Sequence, residues 1–280
     1  MNPFETLSHI QDMYRTYVHT FQKIKNPVIK DWMLKRMSDG TLLWRDPHIQ
    51  LNRRFERGES LEEMVASGLL HNRTLSVFSA TDSSGQLTGT PIVPHKHQSD
   101  SIKAILNEDA NTIITTGTSS GKSFCFGIPV VSECLRMRER GLDGIKAIIV
   151  YPMNALANSQ YEDFARRLHG SGLRVALYTG DTPNNQEGAL ANLKITTGRD
   201  TPYDSEVLSR EEIQSNPPDI LMTNYVMLEL LLTRLDDHDK LFPEEHRGRL
   251  RFLVLDEIHT YSGKRGADVA CLIRRLKSRT

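Results

Sequence analysis

The 280-residue sequence predicts an α/β fold in which helices cover both faces of a parallel β-sheet. Three observations predict it. From residue 98 onward, short apolar runs alternate with helix-compatible stretches, as in parallel sheets that are buried on both sides. A loop of small residues joins one apolar run to the following helix, and a later run ends in two adjacent carboxylates. A small helical module is predicted to precede this domain.

The helical N-terminal module is predicted to span residues 1–80. Apolar residues recur at helical spacing over 7–25, which predicts an amphipathic helix. A second helix is expected over 27–37, and Trp32 is expected to be buried in the core of the module. The apolar stripe of the first helix is expected to pack within this chain.

A capping box and a linker are predicted to end the module. Residues 60–63 read Ser-Leu-Glu-Glu, a pattern that opens a short helix, and Gly68 fits the end of that helix. Residues 81–94 are rich in Ser, Gly, Thr and Pro and are predicted to be a linker. The main domain is therefore expected to span 95–280.

Strands and helices are expected to alternate through the main domain. Strands are predicted at 111–116, 146–151, 174–178, 219–223 and 250–255. Helices are predicted at 99–107, 122–139, 155–168, 225–234 and 266–278. The polar segment 182–216 is expected to be either a surface insertion with short helices or a mobile loop.

The small-residue loop has the chemistry of a phosphate-binding loop. It consists of Thr116, Gly117, Thr118, Ser119, Ser120 and Gly121. Backbone N–H groups of such a loop converge on phosphates at the positive end of a helix. Lys122 is predicted to neutralise the β/γ-phosphates of ATP, and Ser123 to offer its hydroxyl to Mg²⁺. Thr116 stands where Gly or Ala is usual, which leaves the turn up to Gly121 intact.

The two adjacent carboxylates, Asp256 and Glu257, follow the apolar run 252–255. Open α/β sheets bind ligands at the carboxyl ends of their strands. Asp256 is predicted to hold Mg²⁺, and Glu257 to orient the attacking water. The alternative is a pair of solvated carboxylates at the start of a loop. The phosphate-loop pattern upstream favours the catalytic interpretation.

Residues 256–259, Asp-Glu-Ile-His, resemble motif II of the DEAD/DEAH-box helicases of superfamily 2. The residues that follow resemble the branch of large DNA helicases that includes the MrfA (YprA) type and some phage-defence proteins. The resemblance covers roughly 90–280 and implies a RecA-like first motor domain that uses ATP. It also implies that His259 couples the state of the nucleotide to a second domain.

Further motifs of the family fall in the expected order. Gln98 resembles its adenine-reading glutamine, whose amide suits the edge of adenine. His95 stands where the family often has an aromatic residue, and an imidazole could still stack on the base. Three more segments resemble those that contact the sugar-phosphate backbone of one strand. The contacts implied there are Pro152, Asn154, Thr179, Gly180, Thr223 and Asn224.

The composition narrows the classes of function without choosing one. Lys and Arg number 35 and are matched by 35 Asp and Glu, so the chain lacks the overall basic charge of many nucleic-acid binders. Loops and helix ends can still grip a few phosphates. Three cysteines without paired spacing suggest a reducing cytoplasm and no zinc site. No signal pattern or long apolar run suggests a membrane partner.

The sequence therefore predicts the N-terminal motor domain of an ATP-dependent helicase or translocase, with single-stranded DNA favoured over RNA. An RNA-remodelling ATPase, or a non-motor scaffold of a repair or defence complex, remains the alternative. The resemblance also implies a second RecA-like domain, in cis or in trans, that carries an arginine finger. We find neither in these 280 residues. Alone, they are expected to bind nucleotide weakly and to hydrolyse it poorly.

Overall fold

The computed structural model of the chain describes residues 2–21, 24–38, 43–44, 55–83, 86–117 and 120–280. The chain divides into two compact units, Met1–Arg54 and Phe55–Thr280. Each unit is described by itself below.

The first unit contains helices α1 (Pro3–Phe21) and α2 (Pro27–Ser38), which confirms both predicted helices. Each helix begins with a proline, whose missing N–H costs nothing at the first helical position. The Asn26 side chain accepts a hydrogen bond from the Val28 N–H (3.0 Å) and caps α2. The prediction that Trp32 is a core residue is wrong, because 60% of its surface is exposed. The apolar stripe of α1 is also largely exposed, at Met13 for example.

The second unit begins earlier than the predicted main domain. Helix α3 (Leu61–Ala66) opens with the predicted capping box, in which Glu63 N–H donates to Ser60 Oγ (3.2 Å). Helix α4 (Thr74–Val77) follows. Buried side chains such as Met64 belong to the same hydrophobic cluster as the central sheet. This shared burial accounts for the difference from the predicted boundary at residue 80.

The predicted linker, 81–94, contains regular structure. Strand β1 (Ser79–Thr81) pairs antiparallel with β2 (Leu87–Pro91). Just after β2, the Ile92 N–H donates to the Phe78 carbonyl (3.0 Å), and Phe78 is buried. This segment therefore forms a small hairpin of the second unit instead of an irregular connection.

A five-stranded parallel sheet with helices on both faces forms the rest of the unit. Its elements are α5 (Lys96–Asn107), α6 (Lys122–Glu139), β3 (Ala147–Tyr151), α7 (Asn154–Leu168), β4 (Val175–Tyr178), α8 (Gln186–Thr197), β5 (Glu206–Val207), α9 (Arg210–Ser215), β6 (Ile220–Asn224), α10 (Tyr225–Thr233), α11 (Leu235–Leu241), β7 (Phe252–Leu255) and α12 (Gly263–Arg279), with short 3₁₀ helices at Glu244–His246 and Ile258–Thr260. The strand order is β5-β4-β6-β3-β7. All pairings are parallel, so the carboxyl ends of the strands meet at one edge. The predicted fold class is confirmed.

Alternate residues of β3 point into two hydrophobic clusters, one on each face of the sheet. Ile149 and Tyr151 belong to one cluster, and Ile148 and Val150 belong to the other. Burial on both faces explains why the strands read as continuous apolar runs. Among the described residues no helix is long and apolar enough to cross a membrane.

The prediction of a strand at 111–116 is wrong. Residues 111–117 are irregular and mostly exposed, and 74% of the Ile113 surface is accessible. Among the described residues, β7 pairs with β3 alone, and a cavity separates its other edge from this segment. β-branched residues favour strands only where a neighbouring strand pairs with them, and here that pairing is absent.

The segment 182–216 is an ordered insertion with short helices, the first of the two predicted alternatives. It contains α8, β5 and α9, and β5 adds to the sheet beside β4. The buried Glu206 carboxylate accepts two hydrogen bonds from Arg199 (2.8 and 3.0 Å) and one from the Tyr203 N–H (2.7 Å). These bonds anchor the middle of the insertion.

Candidate nucleotide and nucleic-acid site

The turn before α6 requires a glycine at position 121. Gly121 has a φ of +72°, and a Cβ there would lie 2.5 Å from Nε2 of Gln98. Both the left-handed backbone and the lack of space exclude a side chain. Earlier in the loop, the hydroxyls of Thr116 and Ser120 hydrogen bond to each other (2.7 Å). The predicted phosphate contacts of Thr118 and Ser119 lie outside the described residues.

The Lys122 ammonium, predicted to neutralise the phosphates, and the Ser123 hydroxyl, predicted to bind Mg²⁺, lie in the first turn of α6. Lys122 Nζ donates to the Thr116 carbonyl over a long 3.3 Å. Ser123 Oγ donates to Oε1 of Gln160 (3.2 Å). Such long hydrogen bonds are weak. Both groups can therefore exchange their present partners for phosphate oxygens or a metal ion.

Gln98 fastens the phosphate loop to α5. Its Nε2 donates to the carbonyls of Ser120 (3.2 Å) and Gly121 (3.0 Å), and its Oε1 accepts from the His95 N–H (2.7 Å). Only 3% of its surface is exposed. The amide is thus fully engaged by the protein. Its predicted role in reading adenine stays a prediction.

Phe55 joins the predicted nucleobase side of the site, and sequence reasoning missed it. Its ring lies 5.1 Å from that of His95 and 5.2 Å from that of His97, centre to centre. The Lys96 N–H donates to the Glu56 carbonyl (2.8 Å) and holds the two segments together. The only sequence signal was an aromatic residue within a charged stretch, far from Gln98 along the chain.

Asp256 and Glu257 stand at the carboxyl end of β7. The pKa of the Asp256 carboxyl is raised, chiefly because the group is buried. The hydrogen bond from the Glu257 N–H lowers this pKa, the Glu257 charge raises it further, and the Lys122 charge lowers it. Glu257 has a φ of +46°, a conformation that is strained for a residue with a side chain. Thr260 stabilises it by donating both its N–H and its hydroxyl to the Glu257 carbonyl (2.9 Å each). His259 Nδ1 lies 3.3 Å from the Glu257 carboxylate.

The phenol groups of Tyr151 and Tyr261 lie close enough to Asp256 for its charge to affect them. The hydroxyls of Tyr151 and Tyr261 have no hydrogen-bond partner among the described residues. Burial, followed by the nearby Asp256 charge, raises the pKa of Tyr261 to about 12 and also raises that of Tyr151. Both groups therefore remain protonated beside the carboxylate at neutral pH.

A cavity of about 750 Å³ brings the two halves of the predicted ATP site together. Lys122, Asp256, Glu257 and His259 all line it, along with the segment 109–116. Its volume falls within the range of small-molecule sites. In this cavity the Lys122 ammonium suits a triphosphate, and the two carboxylates suit a divalent metal ion.

The three segments predicted to contact a nucleic-acid strand meet at the carboxyl edge of the sheet. Asn224 Nδ2 donates to Asn154 Oδ1 (2.9 Å), and Asn154 Nδ2 donates to the Asp181 carboxylate (3.1 Å). Asn224 Oδ1 also accepts from the Met227 N–H (2.8 Å) and caps α10. These hydrogen bonds connect the ends of β3, β4 and β6.

The threonines of these segments face inward. Thr223 is fully buried and its hydroxyl donates to the Tyr178 carbonyl (2.7 Å). Thr179 is 2% exposed. These two side chains therefore have almost no accessible surface for the predicted contact with a strand. The accessible residues are Pro152, Asn154, Gly180 and Asn224.

Residues 95–280, well over half of the chain, match the family model for DEAD/DEAH box helicases. The chain belongs to the DEAD/DEAH box helicase family. The Druantia protein DruE of Escherichia coli (strain UMEA 4076-1) is 30% identical over 66% of this chain and 15% of its own length. The ATP-dependent helicase YprA of Bacillus subtilis, named as uncharacterized, is 27% identical over 61% of this chain and 19% of its length.

Solved helicase structures share the fold. A crystal structure of the DUF1998 helicase MrfA bound to DNA and AMPPNP covers 88% of this chain and 28% of its own, with a TM-score of 0.56 and 22% identity. The DEAD-box helicase Mss116 bound to ssRNA and UDP-BeF covers 83% of this chain and 40% of its own, with a TM-score of 0.55 and 18% identity. The RecA-like fold expected of a DEAD/DEAH box helicase is confirmed, and the relatives agree with the MrfA (YprA)-like branch.

Proposed function

We propose that this chain is the N-terminal ATP-binding motor domain of an ATP-dependent DNA helicase or translocase. The observation that carries the proposal is the cavity that Lys122 shares with Asp256 and Glu257 at the carboxyl edge of the sheet. The asparagine network that joins three strand ends adjoins the same edge. This proximity supports the proposal, because a motor must couple ATP hydrolysis to its hold on a strand.

Each residue of the nucleotide site has a defined task in the proposal. The N–H groups of the loop and the Lys122 ammonium bind and orient the triphosphate. Glu257 holds the attacking water in line and polarises it. His259, 76% of whose side chain is exposed, passes the state of the site to a neighbouring domain.

Ser123 and Asp256 are the residues that would hold Mg²⁺. Their chemistry fits a hard cation, because both offer oxygen ligands and the Asp256 carboxylate is partly desolvated. When bound, Mg²⁺ neutralises charge on the phosphates. Among the described residues no cluster of three or more acidic, His or Cys side chains could hold a metal ion alone, so phosphate oxygens and water would supply the other ligands.

DNA is the proposed substrate, with a single strand lying across Pro152, Asn154, Gly180 and Asn224. The DNA in the MrfA structure and the name of a further relative, the ATP-dependent DNA helicase Hel308 of Methanocaldococcus jannaschii, support this choice. The ssRNA in the Mss116 structure keeps an RNA-remodelling ATPase as the second candidate. Comparing the stimulation of ATPase activity by oligothymidine and by oligouridine distinguishes the two.

The relatives are several times longer than this chain, which suggests further domains or protein partners. The chain spans 14–19% of the length of DruE, YprA and the Schizosaccharomyces pombe helicase hrq1. A second RecA-like domain, in cis or in trans, therefore belongs to the proposal, as do protein partners of a repair or defence complex. The three cysteines are free thiols, which supports a cytoplasmic location.

The decisive experiment is Glu257→Gln in the protein that carries this chain. We expect ATP and DNA binding to persist while turnover falls by about 10²–10⁴-fold, because the amide cannot accept a proton from water. Glu187→Gln, on the exposed start of α8, is the matched control and should leave turnover unchanged. Unchanged turnover in Glu257→Gln would favour a non-motor scaffold.

A further inference from the structure

One side chain of the insertion 182–216 contacts the loop after β4, at the edge of the sheet where we propose that nucleic acid binds. Arg210, the first residue of α9, donates from a single terminal nitrogen to the carbonyls of Thr179 (3.0 Å) and Gly180 (2.9 Å). Its guanidinium lies 5.5 Å from the centre of the Tyr178 ring. One cation from the insertion thus holds two successive carbonyls of the loop after β4.

Backbone contacts at the same place close this loop. The Arg210 N–H donates to the Pro183 carbonyl (2.9 Å), and the Glu211 N–H donates to the Asn184 carbonyl (3.1 Å). At the other end, the Thr182 hydroxyl donates to the Leu177 carbonyl (2.9 Å). Residues 179–184 are therefore held at both ends. At the tip, the Thr179 carbonyl also accepts from the Thr182 N–H (3.3 Å), and among the described residues the Gly180 carbonyl is held by Arg210 alone.

The tip is the part of the loop that faces the proposed strand. Gly180 is exposed, and the neighbouring Asp181 carboxylate binds Asn154. Two carbonyls and a carboxylate here would repel a phosphate backbone if they were free to turn outward. Arg210 donates to both carbonyls and brings a positive charge to the tip of the loop.

We propose that Arg210 is a positioning residue for nucleic-acid binding, and that delivering it is a function of the insertion. Arg210 fixes the Thr179–Asp181 turn so that Gly180 and Asn154 present a single preformed surface to the sugar-phosphate backbone. Preformed surfaces bind more tightly because less conformational freedom is lost on binding. This inference rests on the proposed function.

The test compares three variants in binding a fluorescently labelled oligothymidine. Arg210→Gln removes the charge and one or both carbonyl bonds, and its Kd should rise about tenfold, the effect of losing charge-assisted bonds at the site. Arg210→Lys keeps a cation within reach and should lie between wild type and Arg210→Gln. Arg174→Gln is the matched control, because Arg174 binds the far side of α9 through the Asn216 carbonyl and Glu212. Its Kd should stay within about twofold of wild type.

Two further readouts separate positioning from other roles. The affinity for an ATP analogue should be unchanged in Arg210→Gln, since Lys122 and Asp256 lie outside this loop; a parallel loss would show general unfolding and overturn the inference. The slope of log Kd against log salt should also be unchanged. A slope smaller by about one would mean that Arg210 itself contacts a phosphate, which also overturns it.

The outcomes also distinguish the inference from the proposed function. If wild type binds neither oligothymidine nor oligouridine, the proposed function fails and this inference fails with it. If wild type binds oligothymidine and Arg210→Gln binds equally well, only the positioning role fails.

Discussion

Gly121→Ala offers a direct measure of how tightly the phosphate loop is built. Its new methyl group would meet Gln98 Nε2 at 2.5 Å, on a backbone with φ of +72°. The left-handed conformation costs alanine about 1–2 kcal/mol. To escape the methyl group, Gln98 must give up its bonds to the carbonyls of Ser120 and Gly121, at about 0.5–1.5 kcal/mol each. The sum is a destabilisation of about 2–5 kcal/mol.

The same substitution in a Gln98→Ala background isolates the contact. There the glutamine is absent, so Gly121→Ala should cost only the backbone part, about 1–2 kcal/mol. The free energy of unfolding from urea titrations of the four proteins gives the coupling, which we expect to be about 1–3 kcal/mol. Equal costs of Gly121→Ala in the two backgrounds would refute the contact between Gln98 and the turn.

Three further predictions concern buried polar and charged groups. Tyr151→Phe removes a buried hydroxyl without a partner; urea unfolding should show a protein as stable as wild type or more stable, by up to about 1–3 kcal/mol, and a clear loss would reveal an unrecognised bond. Lys146→Met removes the fully buried ion-pair partner of Asp219 and leaves it the partly exposed Arg138, so it should destabilise by about 1.5–3 kcal/mol, the value of a hydrogen bond to a charged group; Lys194→Met, at an exposed pair, should cost about 1 kcal/mol or less. The pKa of Asp256 is raised in the folded state. The ionised carboxylate therefore destabilises the fold. This destabilisation begins as pH rises past the pKa of the unfolded state and is complete above that of the folded state. Asp256→Asn should therefore be more stable than wild type at pH 7, and the difference should vanish in urea titrations below about pH 4; a difference that persists there would contradict the desolvation argument.

The sequence was a good guide wherever burial alone decides the structure. The predicted strands at 146–151 and 219–223 have apolar centres, 147–150 and 220–222, because they are covered on both faces, and both are strands. The carboxyl ends of these two strands and of β7 then place Asn154, Asn224 and Asp256 at one edge, because all three strands are parallel. For this reason the candidate site could be predicted before any contact was known.

The sequence was a poor guide where the partner decides the structure. Residues 111–116 have strand-forming composition, but they lie across a cavity from β7 instead of pairing with it. Phe55 and Arg210 reach the site through tertiary contacts that leave no local pattern. The threonines at 179 and 223 matched their motifs, yet only the structure shows that both side chains are buried.

The edge of β7 that pairs with no strand among the described residues has a practical consequence for handling the protein. A strand edge whose N–H and C=O groups lack partners is a template on which another chain can add a strand. β7 has only four residues, and charged side chains flank it, with Arg251 before it and Asp256 after it. Short length and flanking charge are the devices by which natural sheets discourage such addition. We therefore expect the protein to self-associate through this edge more readily at high concentration and high salt, where those charges are screened.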